Sequence, residues 1–163
     1  MNPLAGNTTD LELDQTDRRI LALLQQDASL TNQALAERVG ASPATALRRV
    51  RRLREAGVIE REVALLAPRW AHAGLSAIVE VSLQAQTEEL LAGFEAHCSA
   101  EMAVQQCYRV SAGPDLVLVL HVPDMQAYQA LAARLFSDRA AVRNVRTFFV
   151  TKRSKFEPRV EVR

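Results

Sequence analysis

Apolar residues recur along this chain with two different periods, and the point where the period changes fixes its organisation. Between residues 14 and 57 they fall at helical spacing; from residue 76 onward, short alternating runs interleave with helical ones. A length of 163 residues accommodates two small domains. Residues 1–10, polar with a Pro and a Gly, are expected to be a flexible tail. Residues 11–63 are expected to form a tri-helical domain, 64–76 a ribbon and linker, and 77–163 a domain of mixed helices and strands.

The first half carries its own start and stop signals. Asp14 is positioned to cap a helix, with Asp17 three residues on in the first turn, where a carboxylate suits the helix dipole. Ile20, Leu21, Leu23 and Leu24 supply its apolar stripe. Thr31 can cap a second helix, which buries Leu35 and Val39 and ends at Gly40. Ser42 followed by Pro43 opens a third, running to Gly57. Two helices joined by so short a turn form a helix-turn-helix pattern. The stretch "VIEREVALLAP" after it alternates well enough for a short β ribbon ended by Pro68, and Trp70 is expected to pack locally in the linker.

Within the third helix, "RRVRRLR" (residues 48–54) places five arginines in seven positions. At about 100° per residue, Ala46, Val50 and Leu53 share one side, while Ala44, Thr45, Arg48, Arg51 and Arg52 share the other. Arg49 and Arg54 flank the apolar stripe. Arginine bonds guanine edges with both arms, and threonine bonds a base or touches a thymine methyl, so Thr45 and Arg48 suit base contact. Arg49, Arg51 and Arg52 suit phosphates. Thr31 and Asn32 open the second helix, where free N–H groups suit a phosphate; Ser42 and Ala44 lie at the start of the third. The expected partner is double-stranded DNA. Residues 1–63 hold nine basic and nine acidic residues, so the domain is polarised rather than basic overall.

In the second half the order reads β-α-β-β-α-β: "SAIVEVSL", "TEELLAGFEAHC", "MAVQQCYRV", "DLVLVLHV", "DMQAYQALAARLF" and "VRNVRTFFV". That is the ferredoxin-like arrangement, which makes the fold class α+β. In "DLVLVLHV" both faces are apolar, which predicts burial on both. Two helices cover one face only. A second copy of the chain is the expected cover for the other; the linker or the C-terminal "FEPRVEVR" is the alternative.

Other chemistry is sparse. The longest apolar run, residues 116–120, is too short for a membrane span, and the N-terminus lacks a secretory pattern, so the chain is expected to be cytoplasmic. Cys98 and Cys107 give no disulfide framework, and His72, His97 and His121 give no metal spacing. Cys107 is most simply a small apolar filler and His121 a sheet residue. Phosphate-loop and nucleophile-elbow motifs do not occur, and neither a cofactor nor a metal is expected.

Taken together, "LDQTDRRILALLQQDASLTNQALAERVGASPATALRRVRRLREAGVI", "HVPDMQAYQAL" and "VRTFFV" resemble the leucine- and asparagine-responsive bacterial regulators, Lrp/AsnC, over about residues 13–155. The resemblance implies a winged helix-turn-helix joined to a ferredoxin-like domain that dimerises and assembles further, often to octamers, with an amino-acid effector between dimers. It places the effector near Ser111, Ala112, Gly113, Asp115 and Thr147. The sequence departs from the family pattern at Glu62, where tyrosine is usual, at Ala112, where glycine is usual, at Pro114, and at Lys152, where an acid is usual. These changes predict a small or altered pocket that binds large amino acids weakly. An enzyme alternative is a sirohaem decarboxylase, which shares the fold; its motif strand aligns with Tyr108 and Arg109 here but lacks the histidine pair.

Overall fold

The computed structural model of the chain describes residues 11–66, 74–138 and 140–162. It divides into two compact units: Met1–Leu65 with Phe156–Arg163, and Leu66–Lys155. The expected tail at 1–10 and Trp70 lie outside the described residues.

The first unit is built from α1 (Gln15–Gln26), α2 (Asn32–Val39) and α3 (Pro43–Glu55). Each begins where a side-chain oxygen takes over an orphan amide. Asp14 accepts from Asp17 N–H at 2.8 Å while Asp17 accepts from Asp14 N–H at 3.2 Å, a reciprocal capping box. Thr31 caps α2 and Ser42 caps α3, with Pro43 at the first helical position. Gly40 ends α2 at φ +71°, a left-handed position where a side chain is strained. Its amide and that of Ala41 close back on the last turn, which keeps the connection to α3 to residues 40–42. Ile20, Leu21, Leu35, Val39, Val50 and Leu53 meet in one apolar core. Burying each leucine of this set contributes about 2 kcal/mol.

The second unit contains β1 (Leu75–Leu83), α4 (Glu88–Ser99), β2 (Val104–Arg109), β3 (Leu116–Val122), α5 (Met125–Phe136) and β4 (Val142–Phe149). The sheet is antiparallel in the order β2-β3-β1-β4, as a ferredoxin-like βαββαβ chain requires. Register pairs Ile78 with Val119 and with Phe148, and Val79 with Leu118 and with Thr147. Strand alternation then separates two faces. Ala77, Val79, Val81, Leu83, Leu116, Leu118, Leu120 and Val122 form the floor under the helices, where Leu91, Phe94, Leu131 and Leu135 cover them. Ile78, Tyr108, Val117, Val119 and Phe148 lie on the other face. Of these Ile78, Tyr108 and Phe148 are exposed and the two valines half-buried, so the twofold burial anticipated for β3 is complete on one face only.

Two expectations change. Residues 60–66 adopt no helix or strand, so the ribbon does not form among the described residues; alternation supplies a surface but not a partner strand. The C-terminal segment belongs to the first unit rather than to a domain spanning 77–163. The Gln25 side chain brackets Val160, donating to its carbonyl at 3.0 Å and accepting from its N–H at 2.8 Å. Val162 packs against the helical core. The segment therefore does not cover the sheet.

Candidate functional site

The arginines of α3 divide into two groups. Arg49 and Arg52 lie three positions apart and so share a face. Both reach back to Asp17, a carboxylate with 0% exposure at the start of α1. Arg49 Nη1 donates to Asp17 Oδ1 at 2.9 Å and to Asp14 Oδ2 at 2.6 Å, and Arg52 Nη2 donates to Asp17 Oδ2. The Asp17 amide and then Arg49 hold the Asp14 carboxyl below its ordinary range. Asp17 first and Asp14 second push the Arg49 guanidinium further up. Farther along, Arg54 donates to Glu62 at 2.6 Å through Nη2. Glu62 thus has a local partner where the family pattern carries a tyrosine. Arg48 and Arg51 are exposed, and among the described residues neither has an ion-pair partner. The expectation that Arg49, Arg51 and Arg52 all face phosphates therefore separates: Arg51 faces outward, and Arg49 and Arg52 are engaged in holding α3 against α1.

Around these arginines the small polar residues are largely at cap positions. Thr31 Oγ1 accepts from Ala34 N–H at 3.2 Å, and Ser42 Oγ accepts from Thr45 N–H at 3.2 Å. The Ser42 and Thr45 hydroxyls are 2.9 Å apart and bonded to each other. Asn32 and Ala44 are exposed at the starts of α2 and α3. Thr45 is half-buried, one turn before Arg48 on the outer side of α3. The outward surface is therefore a cationic strip, Arg48 and Arg51, with hydroxyls and helix-start amides at its N-terminal end.

At the proposed effector turn the balance differs. Asp115, 6% exposed, accepts from Leu83 N–H at 2.7 Å through Oδ2 and from Gln86 Nε2 at 2.7 Å through Oδ1. Its own amide donates to Val81 O at 2.9 Å. The need arises at the end of β1, where the pairing with β4 shifts register between Ser82 and Leu83. Both carboxylate oxygens are thus engaged in joining β1 and the loop before α4 to the start of β3. Thr147, on the opposite side of β1, exchanges a 2.6 Å hydrogen bond with Tyr128 of α5, whose ring meets Phe149 edge-on at 5.0 Å. Thr147 therefore faces the helices, away from the turn. Ser111, Ala112 and Gly113 are exposed. Gly113 has φ +85°, so the left-handed position sits at Gly113, and Ala112 keeps an ordinary backbone. A groove of about 610 Å³ lies elsewhere, between α4 and α5, over Leu90, Phe94, Leu135 and Val142.

The roles of Asp17, Glu62 and Gln86 were not anticipated from sequence. The spacing of Arg49 and Arg52 on the flank of the apolar stripe was a usable signal for the first. No sequence pattern announces the second or third.

Residues 13–60 match the family described as winged helix-turn-helix DNA-binding, and residues 76–160 match the Lrp/AsnC ligand binding domain. The chain belongs to the Lrp/AsnC family. It is 36% identical to the leucine-responsive regulatory protein of Salmonella typhimurium over 152 residues, 93% of each chain. The Escherichia coli K12 protein of the same name is 35% identical with the same coverage. Among solved structures, an AsnC family transcriptional regulator from Agrobacterium tumefaciens superposes with a TM-score of 0.82 at 32% identity, covering 91% of this chain and 96% of that one. A transcriptional regulator from Neisseria meningitidis, solved as an L-Met complex, superposes with a TM-score of 0.80 at 31% identity, covering 90% and 95%. The chain is an Lrp/AsnC-type DNA-binding transcriptional regulator with a ligand-binding domain, and not an enzyme. Tyr108 and Arg109, the residues of the decarboxylase alternative, point to opposite faces of β2; Arg109 is bound to Glu88 at 2.6 Å and to Glu95 at 2.8 Å, and holds the Glu88 carboxyl below its usual range. No helix among the described residues is long and apolar enough to cross a membrane.

Proposed function

We propose that this regulator reads double-stranded DNA with the outer face of α3, using Arg48 and Thr45 on bases and Arg51 on phosphate, and acts as a homo-oligomer assembled on the open face of its sheet. The observation that carries the DNA assignment is the pair of exposed, unpaired arginines one turn apart on the third helix of a tri-helical unit. Thr31, Asn32, Ser42 and Ala44 flank this strip as backbone-side contacts. Oligomerisation is supported by the apolar face of Ile78, Tyr108, Val117, Val119 and Phe148, which a second copy would bury.

For the ligand-binding domain, the Neisseria relative's L-Met supports an amino acid as the effector class. In this chain the acid nearest the turn already serves Leu83 and Gln86, so an ammonium group reaches Asp115 only by breaking buried bonds. The effector turn then offers backbone groups of residues 111–113, and bulky amino acids bind weakly. Selection of bound genomic fragments followed by fluorescence-anisotropy titration tests the DNA assignment. Arg48→Ala lowers affinity by about 1–3 kcal/mol and relaxes preference at one position per half-site. Unchanged affinity and preference would remove Arg48 from the interface.

A further inference from the structure

Cys98 and Cys107 are separated in sequence and brought together by the packing of α4 on β2. Cys98, near the C-terminal end of α4, has 0% exposure and belongs to the core under the helices. Cys107 is half-buried on the edge strand β2, pairs with Leu118, and packs against the same core. The Cys98 thiol donates a hydrogen bond to the Cys107 sulfur. That bond lowers the Cys107 thiol below its usual range against the opposing effect of burial, and the same bond together with burial pushes Cys98 up. Glu95 opposes a thiolate at Cys107, but Arg109 offsets that carboxylate at 2.8 Å. One sulfur is thus partly reachable and primed, and the other is enclosed beside it. A pair of this kind differs from a structural cysteine, which is buried, inert and without a neighbouring thiol.

We propose that Cys98 and Cys107 are a reversible, peroxide-oxidisable dithiol, a modification site in the ligand-binding domain. The Cys107 thiolate attacks one oxygen of hydrogen peroxide and breaks the O–O bond. Cys107 becomes a sulfenic acid, and the departing hydroxide takes up a proton as water. Cys98 then gives up its proton and attacks the sulfenic sulfur, expelling a second water and closing the disulfide. In sum, two thiols and one peroxide yield one disulfide and two waters; both sulfurs are oxidised and the peroxide is reduced. Reaction with a small thiol reverses it by exchange. The bond ties the end of α4 to the strand that leads into residues 111–113. Cys107 lies on the helix side of the sheet, so the reaction does not require the opposite face to be uncovered.

The test uses the full-length protein treated with hydrogen peroxide, blocked with an alkylating reagent and digested without reductant. A peptide linked through Cys98 and Cys107 is expected, converting to two alkylatable thiols after dithiothreitol. In Cys98→Ala, Cys107 remains as a sulfenic acid that dimedone traps; in Cys107→Ala, Cys98 stays reduced. The wild-type mapping stands even if a variant misfolds. Recovery of both wild-type thiols unoxidised, oxidation of Cys98 alone, or cross-links only between chains would overturn the proposal.

Discussion

Helix α3 and the turn between β2 and β3 both present charged residues of the kind that bind ligands, yet they keep different amounts of that charge for outside use. In α3, Asp17 and Asp14 take up Arg49 and Arg52, Glu62 takes up Arg54, and Arg48 and Arg51 remain outward. At the turn, both oxygens of Asp115 are bound inside the fold and Thr147 is bound to Tyr128. The helix therefore has surplus charge and the turn has none. Ligand-facing chemistry is what remains after the internal partners are assigned, and residue type alone overstates it.

The largest effect is expected on removing the acid that receives both α3 arginines. Asp17→Ala leaves two guanidinium groups without their shared partner and also removes half of the capping box. A fully buried pair broken this way loses about 3–5 kcal/mol; because Arg52 is 44% exposed at its side chain and can recover water, about 2–4 kcal/mol is expected here. Hydrogen exchange should accelerate in α1 and α3 while the sheet stays protected. Equal protection in wild type and variant would mean that the clamp contributes nothing.

Next is Asp115→Ala, which leaves the buried Leu83 N–H without an acceptor and releases Gln86. About 2–3 kcal/mol is expected, read as faster exchange at the end of β1, with little change in any residual amino-acid affinity. If thermal-shift screening instead showed strong stabilisation of the wild type by a bulky amino acid, abolished in this variant, Asp115 would be a ligand group after all. Smaller again is Gly113→Ala. Nothing lies within 4 Å of the added methyl, so only the φ of +85° opposes it. About 1 kcal/mol follows, measured by denaturant midpoint; no change would mean the turn readily adopts another conformation.

The elements were legible because their signals are local. Asp14, Thr31, Ser42, Thr87 and Asp124 cap the helices they precede, and alternation in "DLVLVLHV" places β3 to within a residue. What escaped depends on partners distant in sequence. Alternation at 58–66 says nothing of whether a neighbouring strand exists, and the valines of "FEPRVEVR" do not say which core receives them. Gln25 and Val160 are 135 residues apart. The same limit hides the service of Asp115 to Leu83, 32 residues away and created by a register shift. In the candidate interface, the wheel identified the outward face correctly for Arg48 and Arg51, but the flank occupied by Arg49 and Arg52 became interpretable only with Asp17 opposite.

That division of α3 is tested most directly by the salt dependence of DNA affinity in Arg51→Ala and Arg49→Ala, measured side by side by anisotropy on one selected site, with folding of each checked by circular dichroism. Arg51→Ala should flatten the slope of log affinity against log salt by about 0.9 for each phosphate contact removed and leave thermal stability unchanged. Arg49→Ala should lower the melting temperature and leave the slope of the folded fraction as in wild type. The reverse pattern, a flattened slope for Arg49→Ala and an unaltered one for Arg51→Ala, would contradict the assignment.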